Sequence, residues 1–387
     1  MNKEANGRAI KGVYTIVVVK GTVYPEFRNN NNITKKQKPL TFKPLGADRS
    51  AHTTVVMLPP ELSPSANVLR TCRGVVSRSV HVTIDSSVLS SFAASLSKSS
   101  SAIQWDESSW HFTSSTSSEN TALYVLTLDA LNFCFWPSSK SQLQYEHLAT
   151  ALTKLAEESE STPDSFIFCP EKLASLTPQS LASLVDPLLP VPLPDVAERT
   201  RLLNELGIGL ITFFGGSALS LIAKADRSAD KLAFLIAQTF SGFRDSCVDP
   251  STGRQVFFYK RAQIAVADLW AAFNHSSPCD FTDISSITTF ADYRIPQLLR
   301  QLKVISYSKT LSHKIDEGVE LEAGSVEELE IRAATVVVVD RLVAEVKDLG
   351  RDEMTAVSMD WCLWQTGEKM EKEGGIKRHH KVKTIFY

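Results

Sequence analysis

The chain is organised around Thr282-Asp-Ile-Ser-Ser-Ile-Thr-Thr-Phe-Ala-Asp-Tyr-Arg-Ile-Pro-Gln297. The pattern predicts a short helix capped by Thr282 or Asp283, a break at residues 290–294, and a second helix opened by Pro296. Burying the carboxylate of Asp292 in an aromatic turn is costly unless a partner or a ligand uses it. From this stretch alone, a capped turn with a surface salt bridge is an equally good interpretation.

Most of the chain on either side of this stretch is predicted to be helical. Apolar residues recur at helical spacing, and the flanks of a valine-rich run at 335–339 favour helix over strand. Ser217 and Ser228 are expected to cap two helices, and Gly215 to end one. Further predicted helices cover residues 145–158, 171–184, 195–215, 256–273, 308–316, 326–349 and 352–366.

The last predicted helix contains an aspartate in an apolar patch, within Ser358-Met-Asp-Trp-Cys-Leu-Trp364. A carboxylate such as that of Asp360 is costly to bury without a partner, so it is either functional or paired. An ion pair with an arginine such as Arg332 or Arg341 is the alternative to a functional role.

One segment is predicted to be a strand, residues 121–136, because apolar and aromatic residues alternate through TALYVLTLDALNFCFW. Asp129 and Asn132 are polar positions within it. They either hydrogen-bond a neighbouring loop or form the wall of a pocket. His111 lies among aromatic residues just before this segment, and packing is favoured over chemistry for such a cluster.

The predicted fold class is mainly α with a small β component. Residues 1–65 contain Asn-rich and Lys-rich runs without an apolar period, so they are predicted to be a disordered or poorly ordered N-terminal extension. Residues 66–190 are predicted to form an N-terminal α+β portion, and residues 191–387 a helical portion. The basic segment 377–383 is expected to be exposed.

The composition is that of an ordinary globular protein, with 43% hydrophobic and 22% charged residues among 387. A net charge of -2 argues against polymeric nucleic acid as the main ligand, because such binding usually needs a basic excess. The six cysteines form no C-x-x-C pair, which argues against a structural zinc site and indicates a reducing compartment. No apolar run is long enough to span a bilayer.

Four stretches stand in the order found in the queuosine salvage proteins, and the chain resembles that family over residues 68–387. The family comprises queuosine 5'-phosphate N-glycosidases, which release queuine. The resemblance implies a mainly helical fold similar to helix-hairpin-helix DNA glycosylases, acting on a free nucleotide rather than on DNA. The stretches are LDALNFCFW at 128–136, FYKRAQ at 258–263, DISSIT at 283–288 with FADYRIP at 290–296, and DWCLW at 360–364.

The resemblance also implies the site residues. The catalytic carboxylate of the family falls on Asp360, and its base-binding residues fall on His111, Phe290, Asp292 and Trp361. A further position, acidic in relatives, is Gln365 here, and an amide can accept a hydrogen bond but adds no charge.

The chemistry implied for these residues is hydrolysis of an N-glycosidic bond, which develops positive charge on the ribose. Asp360 can stabilise that charge, attack the anomeric carbon or activate water, and the sequence leaves these open. Asp292 suits the N1–H and amine of a guanine-type ring. Phe290 and Trp361 would stack on the faces of the base.

The 5'-phosphate of such a substrate needs cations, and Lys260, Arg261 and Arg294 are the candidates, with a solvated helix face as the alternative. No metal and no cofactor is expected. The expected partner is a small nucleotide, with no polymeric nucleic acid and no membrane. The other hypotheses are a non-catalytic helix-hairpin-helix nucleic-acid-binding module and a structural scaffold. The cytoplasm is the expected location, with mitochondria and nucleus left open because the first fifty residues are basic and acid-poor.

Overall fold

The computed structural model describes residues 15–19, 22–26, 63–98, 110–136, 143–160 and 166–387. The chain divides into two compact units, Met1–Pro59 and Pro60–Tyr387. In the first unit, β1 (Thr15–Val19) and β2 (Thr22–Glu26) pair as antiparallel strands. The rest of the predicted extension, up to residue 62, lies outside the described residues.

The second unit is mainly helical, as predicted, and its β structure is limited to short two-stranded pairs. Its helices are α1 (Pro64–Val76), α2 (Ser86–Ser97), α3 (Ser118–Leu131), α4 (Tyr145–Glu160), α5 (Pro170–Ser175), α6 (Pro178–Val185), α7 (Val196–Phe214), α8 (Ala218–Lys224), α9 (Ala229–Thr239), α10 (Lys260–Ala272), α11 (Arg294–Gln301), α12 (Lys309–Asp316), α13 (Val326–Asp348) and α14 (Ala356–Lys372).

The strands of this unit pair across long sequence separations as well as locally. β3 and β6 are antiparallel, β4 and β5 form an antiparallel hairpin, and β7 and β8 are parallel. Their bounds are β3 (Val82–Ile84), β4 (Ser246–Val248), β5 (Gln255–Phe257), β6 (Ile305–Tyr307), β7 (Glu320–Leu321) and β8 (Lys381–Val382).

The helix ends follow the predicted capping chemistry at several positions. The Ser217 hydroxyl accepts the amide of Ser220 at the start of α8, and the Ser228 hydroxyl accepts that of Lys231 at the start of α9. Gly215 ends α7 in a left-handed conformation, with φ of 64°, which glycine adopts without steric cost. The valine-rich run lies inside α13, as its flanks predicted.

The predicted strand at 121–136 is wrong, because residues 118–131 form α3. Every residue from Thr121 to Leu131 is buried. A helix buried on all sides has no polar face, so its sequence loses the 3.6-residue period and resembles a buried strand. The Ser117 hydroxyl caps the helix by accepting the amide of Asn120, which is the local sign that it is a helix.

The central stretch is less helical than predicted. Its first part is a single 3-10 turn at Ile284–Ser286, and α11 begins at Arg294, two residues before the proline. Asp283 does not cap the first turn; its carboxylate instead accepts the hydroxyl of Ser228 and the amide of Ala229, both at 2.6 Å. The segment therefore reaches the site as an extended loop over residues 287–293.

The basic C-terminal segment is exposed at Lys377, Arg378 and Lys383, as the sequence predicts, but not throughout. β8 lies within it, and both His380 and Tyr387 are buried. The backbone carbonyl of Tyr387 accepts the amide of Cys134 at 3.0 Å. Apolar residues at the ends of this basic run pack into the helical unit, so the charged residues between them are held at its surface.

One apolar core lies where α11, α13 and α14 pack together beside α2. Among the described residues, no single helix combines the length and apolar character needed to cross a bilayer, although the bent pair α7 and α8 does so by length and composition taken together. The core positions the N-terminal half of α14 beside the loop at 287–293.

Candidate active site

Asp360 lies in the first turns of α14 and is 4% exposed. Its Oδ2 atom accepts hydrogen bonds from the hydroxyl of Thr289 and, at 2.7 Å, from the amide of Phe290. The arginine pairing that the sequence left as an alternative is wrong. Arg332 pairs with Asp245 at 2.5 Å, and Arg341 contacts a glutamate of its own helix.

The environment of Asp360 favours its protonated form. Burial and, after it, the neighbouring charge of Asp292 together raise the pKa of this carboxyl to about 8. The hydrogen bonds from Thr289 and Phe290 and the charge of Lys260 act in the opposite direction. A carboxylate perturbed by both desolvation and a specific like charge is a mark of a functional site.

Asp292 lies at the start of α11, close enough to Asp360 for the two charges to interact. Its Oδ1 atom accepts the amides of Arg294 at 2.9 Å and Ile295 at 3.1 Å, which fixes the side chain against the first turn of the helix. Burial raises the pKa of Asp292, and the charge of Lys260 opposes that rise. One carboxylate oxygen is thus held by the helix start.

Lys260 is the first residue of α10, and it is buried rather than on a solvated helix face. Burial lowers the pKa of its ammonium group, while Asp292, Asp129 and Asp360 raise it, in that order. This lysine is therefore the counter-charge of three carboxylates. We call Asp129, Asp292 and Asp360, with Lys260 among them, the acid cluster.

Asp129 is the deepest member of the acid cluster, on α3, with 0% of its surface exposed. No hydrogen bond of normal geometry reaches either carboxylate oxygen from the described residues. Burial raises the pKa of Asp129 to about 7, and the charge of Lys260 and the polar side chain of Asn132 limit that rise. The hydrogen bond from the Asp129 carboxylate to a neighbouring loop, one of the two sequence-based interpretations, is not formed among the described residues.

Two of the predicted base-binding residues are aromatic. Phe290 is almost fully buried in the loop held by Asp360. Trp361 is half-buried on α14 and stacks on Trp270 of α10, with ring centroids 6.4 Å apart and 20° between the ring planes. The acid cluster is thus flanked by aromatic surfaces on both of the elements that carry Asp292 and Asp360.

His111 reaches the same region through a tyrosine. Its Nε2 atom lies 2.8 Å from the hydroxyl of Tyr145, whose ring meets Trp364 of α14 edge-on at 6.0 Å. Gln365 follows Trp364 on α14 and is exposed. The structure therefore links His111 to α14 one turn after Asp360, and it places Gln365 at the outer side of that turn.

A family model described as queuosine salvage protein matches residues 110–387. Two proteins, one from Dictyostelium discoideum and one from Sphaerobacter thermophilus, align with the chain, and both are named queuosine 5'-phosphate N-glycosylase/hydrolase. The first is 42% identical over 273 residues, 70% of this chain and 80% of the relative. The second is 36% identical over 330 residues, 83% of this chain and 97% of the relative. The chain belongs to the queuosine salvage protein family.

A mammalian relative of the same name, from Bos taurus, is 34% identical over 283 residues. The alignment covers 68% of this chain and 81% of the relative. Residues 110–387, the range that the family model matches, contain every site residue predicted for this family member. In the part of the chain that the structure describes, no three His, Cys, Asp or Glu side chains are grouped to hold a metal ion.

Two of the predicted phosphate contacts in this salvage-family chain are engaged with the protein itself. The buried guanidinium of Arg261 donates to the carbonyls of Asp129, Ala130 and Gly242. Arg294 pairs with Glu368 at 2.7 Å and with a second glutamate of α14 at 2.9 Å. Their placement favours structural roles.

Sequence reasoning missed the residues that hold the site of this family member in place. Thr289 donates a hydrogen bond to Asp360. Gln263 fixes the preceding residue, Thr288, because its side chain accepts the amide of Thr288 at 2.8 Å. Gln263 lies inside one of the stretches that carry the family resemblance, and Thr289 lies between the two halves of another, which is the signal that could have pointed to them. Tyr145 and Asp245 lie outside those stretches and carry no local pattern.

Proposed function

We propose that the chain hydrolyses the N-glycosidic bond of queuosine 5'-phosphate and releases queuine for salvage into tRNA modification. The observation that carries this proposal is the direct hydrogen bonding of Asp360 to the loop that holds Phe290 and Asp292. The relatives that share the family are named for this activity. These hydrogen bonds support the proposal that Asp360 is the reactive carboxylate and that this loop recognises the base.

The role proposed for Asp360 follows from the charge that develops on the ribose as the bond breaks. In its ionised form the carboxylate stabilises an oxocarbenium-like sugar, either electrostatically or by bonding to the anomeric carbon. The bonding electrons leave with the base, and water completes hydrolysis at the sugar. Burial strengthens the interaction, because little solvent screens the two charges.

The role proposed for Asp292 is recognition of the base. Its Oδ1 atom is held by two amides of α11, which orients the carboxylate for a guanine-type N1–H and exocyclic amine. Phe290 and Trp361 would stack on the ring, an interaction worth about 1–3 kcal/mol per base. The other proposed contacts are His111, held by Tyr145, and Gln365 at the outer side of the site.

Lys260 is proposed to serve the acid cluster rather than the phosphate alone. Its ammonium group faces Asp292, Asp129 and Asp360, so it favours the ionised form that both Asp292 and Asp360 need. An ammonium group that already interacts with three carboxylates attracts a more distant phosphate only weakly. Among the three predicted cations, Lys260 remains the one that we place near the substrate.

The test is to incubate the protein with queuosine 5'-phosphate and to measure free queuine by mass spectrometry. The native chain should release queuine, and Asp360→Ala should lower kcat by at least about 100-fold, the scale of losing a transition-state partner. The matched control is Asp340→Ala, which removes an aspartate from a surface ion pair with Arg73. No release by the native chain would overturn the proposal.

The second candidate is a non-catalytic module that holds nucleic acid. The net charge of -2 disfavours it, because phosphate binding needs a basic surface. Titration of DNA and of RNA at low and at physiological salt separates the two. Salt-sensitive binding without queuine release would favour the module, and the opposite result favours the glycosidase.

Three coarser features complete the proposal. We propose that the helical unit has a helix-hairpin-helix glycosylase-like fold, with the 66–190 portion preceding the 191–387 portion. We keep the cytoplasm as the proposed location, since all six cysteines are free thiols, as is usual in a reducing compartment.

A further inference from the structure

A buried ion pair lies behind the acid cluster. Arg332 of α13 and Asp245, just before β4, meet through two hydrogen bonds of 3.0 Å and 2.5 Å. Both side chains are nearly inaccessible, at 3% and 1% exposed. Such a pair is weak evidence for stability, because desolvation offsets most of its attraction. Its contacts to the backbone suggest a different purpose.

Asp245 holds the start of α10. Its backbone carbonyl accepts the amides of Phe258 at 3.0 Å and Tyr259 at 2.9 Å, and its carboxylate accepts that of Lys260 at 3.1 Å. Tyr259 adopts a left-handed conformation with φ of 49°. A non-glycine residue keeps such a strained backbone only where its surroundings impose it. Asp245 therefore fixes the direction from which Lys260 enters the cluster.

Arg332 holds the recognition loop. Its Nε atom donates to the carbonyl of Ala291, the residue before Asp292, at 3.0 Å. The guanidinium is packed over the rings of Phe258 at 3.9 Å and Tyr387 at 4.3 Å. The planar guanidinium of Arg332 thus binds the loop at Ala291 and packs against Phe258, in the segment that leads to Lys260.

We propose that Asp245 and Arg332 are positioning residues, which set Lys260 and Asp292 at fixed places beside Asp360 without touching the substrate. The inference rests on the proposed function for its consequence in catalysis. Its structural content, the placement of two charges next to a third, can be measured separately.

The measurable quantity is the titration of Asp360. The charged groups that face it are Asp292 on the loop and Lys260 on α10, and Lys260 is in turn faced by Asp129 and Arg261. A small displacement of Lys260 or Asp292 changes the distance of its charge from Asp360. The Coulomb interaction that shifts the pKa of Asp360 changes with that distance. A change in overall stability alone would leave that titration where it is.

The experiment compares Arg332→Lys with Arg199→Lys. Arg199 is an equally buried arginine that donates to the carbonyls of Phe133 and Pro194 and packs on the Phe133 ring at 4.1 Å. Lysine keeps the charge at each position but loses the fork of donors. Both variants are first checked for cooperative urea unfolding, and both are expected to be destabilised.

The titration of Asp360 is followed by NMR in protein labelled with 13C at the aspartate carboxyls, with Asp360→Asn to assign its signal. Arg332→Lys should move the midpoint by about half a unit or more and lower kcat/KM on queuosine 5'-phosphate at least tenfold. Arg199→Lys should change neither. An unmoved midpoint in Arg332→Lys, or an equal shift in both variants, overturns the inference.

Asp245→Asn is the second variant, because it retains an oxygen for the Lys260 amide but removes the charge. It should shift the Asp360 midpoint as well. If Arg332→Lys and Asp245→Asn both fail to fold while Arg199→Lys folds, the pair is a stability element and the proposal is wrong. If the native chain releases no queuine, the proposed function fails, while the NMR titration still decides the inference.

Discussion

The protonation state of Asp360 depends on a second carboxylate, Asp292, for which we propose a role in binding the base. Burial and the charge of Asp292 raise the pKa of Asp360 to about 8. Since the ionised form is the one that we propose stabilises the sugar cation, kcat/KM should increase with pH through this region. In the proposed mechanism the two acids therefore have opposed requirements, because the charge of Asp292 that would bind the base disfavours the ionisation of Asp360.

Asp292→Asn should move the acidic limb of the pH profile of kcat/KM to lower pH. Asparagine keeps the Oδ1 acceptor for the Arg294 and Ile295 amides but removes the like charge, so the pKa of Asp360 falls. The overall kcat/KM should fall too, since the proposed carboxylate contact to the base is lost. The measurement is queuine release as a function of pH.

The control for that profile is Asp340→Asn, which changes one charge in a surface pair with Arg73. It should leave the limb in place, because exposed charges are screened by solvent and salt. An unchanged limb in Asp292→Asn would show that the two acids do not interact as described.

Asp129→Asn should stabilise the protein more at pH 8 than at pH 5. Burial raises the pKa of Asp129 to about 7, so the folded state binds a proton that the unfolded chain releases near its ordinary pKa of 3.8. Its contribution to stability is complete below that value and is lost as pH rises through about 7. Urea unfolding at the two pH values measures the difference. A difference that grows towards acid would contradict this account.

At the residue scale, the sequence predicted the acids that meet but not what fixes them. Asp360 was recognisable as a carboxylate in an apolar patch, and Asp292 as a carboxylate in an aromatic turn. The hydrogen bond from Thr289 joins residues 71 positions apart in sequence. Local spacing contains no information about such a partner, so its role became visible only in the fold.

At the element scale, the loop over residues 288–292 is fixed by buried groups from three helices. Gln263 of α10 binds Thr288, Asp360 of α14 binds Thr289 and Phe290, and Arg332 of α13 binds Ala291. A loop without regular structure is therefore as constrained as a helix. Its backbone groups bond to fixed protein groups instead of water. The proposed base-recognition surface is therefore in place before the substrate binds.

Gln263→Ala should lower kcat/KM about tenfold while leaving the chain folded. The change leaves the amide of Thr288 and the carbonyl of Phe258 without their side-chain partner, and each buried unsatisfied group costs about 1–3 kcal/mol. Steady-state queuine release and urea unfolding measure the two effects.

Asn204→Ala is the matched control, since its amide binds the carbonyls of Leu173 and Leu176 between α7 and α5. It should cost similar stability and leave kcat/KM unchanged. Equal losses of activity in the two variants would show that the loop contact has no special importance.

The elements differ in how well the sequence predicts them. α7 through α9 follow from amphipathic spacing and capping residues, because each buries one face and exposes the other. α3 did not, because a fully buried helix and a buried strand have the same apolar composition. The central stretch was recognised as important, but tertiary contacts shortened its first helix to a single turn.

At the scale of the molecule, the C-terminal segment completes the helical unit. The hydroxyl of Tyr387 donates to Glu328 at 2.8 Å, and its ring packs under the guanidinium of Arg332. Sequence composition predicted exposure here because lysines and arginines dominate the segment. The few apolar positions decide the outcome, since each buries a large surface.

Tyr387→Ala should destabilise the protein by about 3–5 kcal/mol, as expected for removing a fully buried aromatic side chain. Urea unfolding followed by tryptophan fluorescence measures the change. The control is Lys383→Ala, which removes a mostly exposed side chain of the same segment. A loss below about 1 kcal/mol for Tyr387→Ala would show that the ring does not belong to the core.

The acid cluster also bears on how the chain would respond to directed evolution. Three buried carboxylates with one ammonium group weaken the folded state, and they persist only where activity is selected. A library screened solely for survival on heating should accumulate neutral residues at Asp129, Asp292 and Asp360. The most heat-resistant variants would therefore be inactive. Heat resistance and catalytic turnover could be improved together only at positions other than these three.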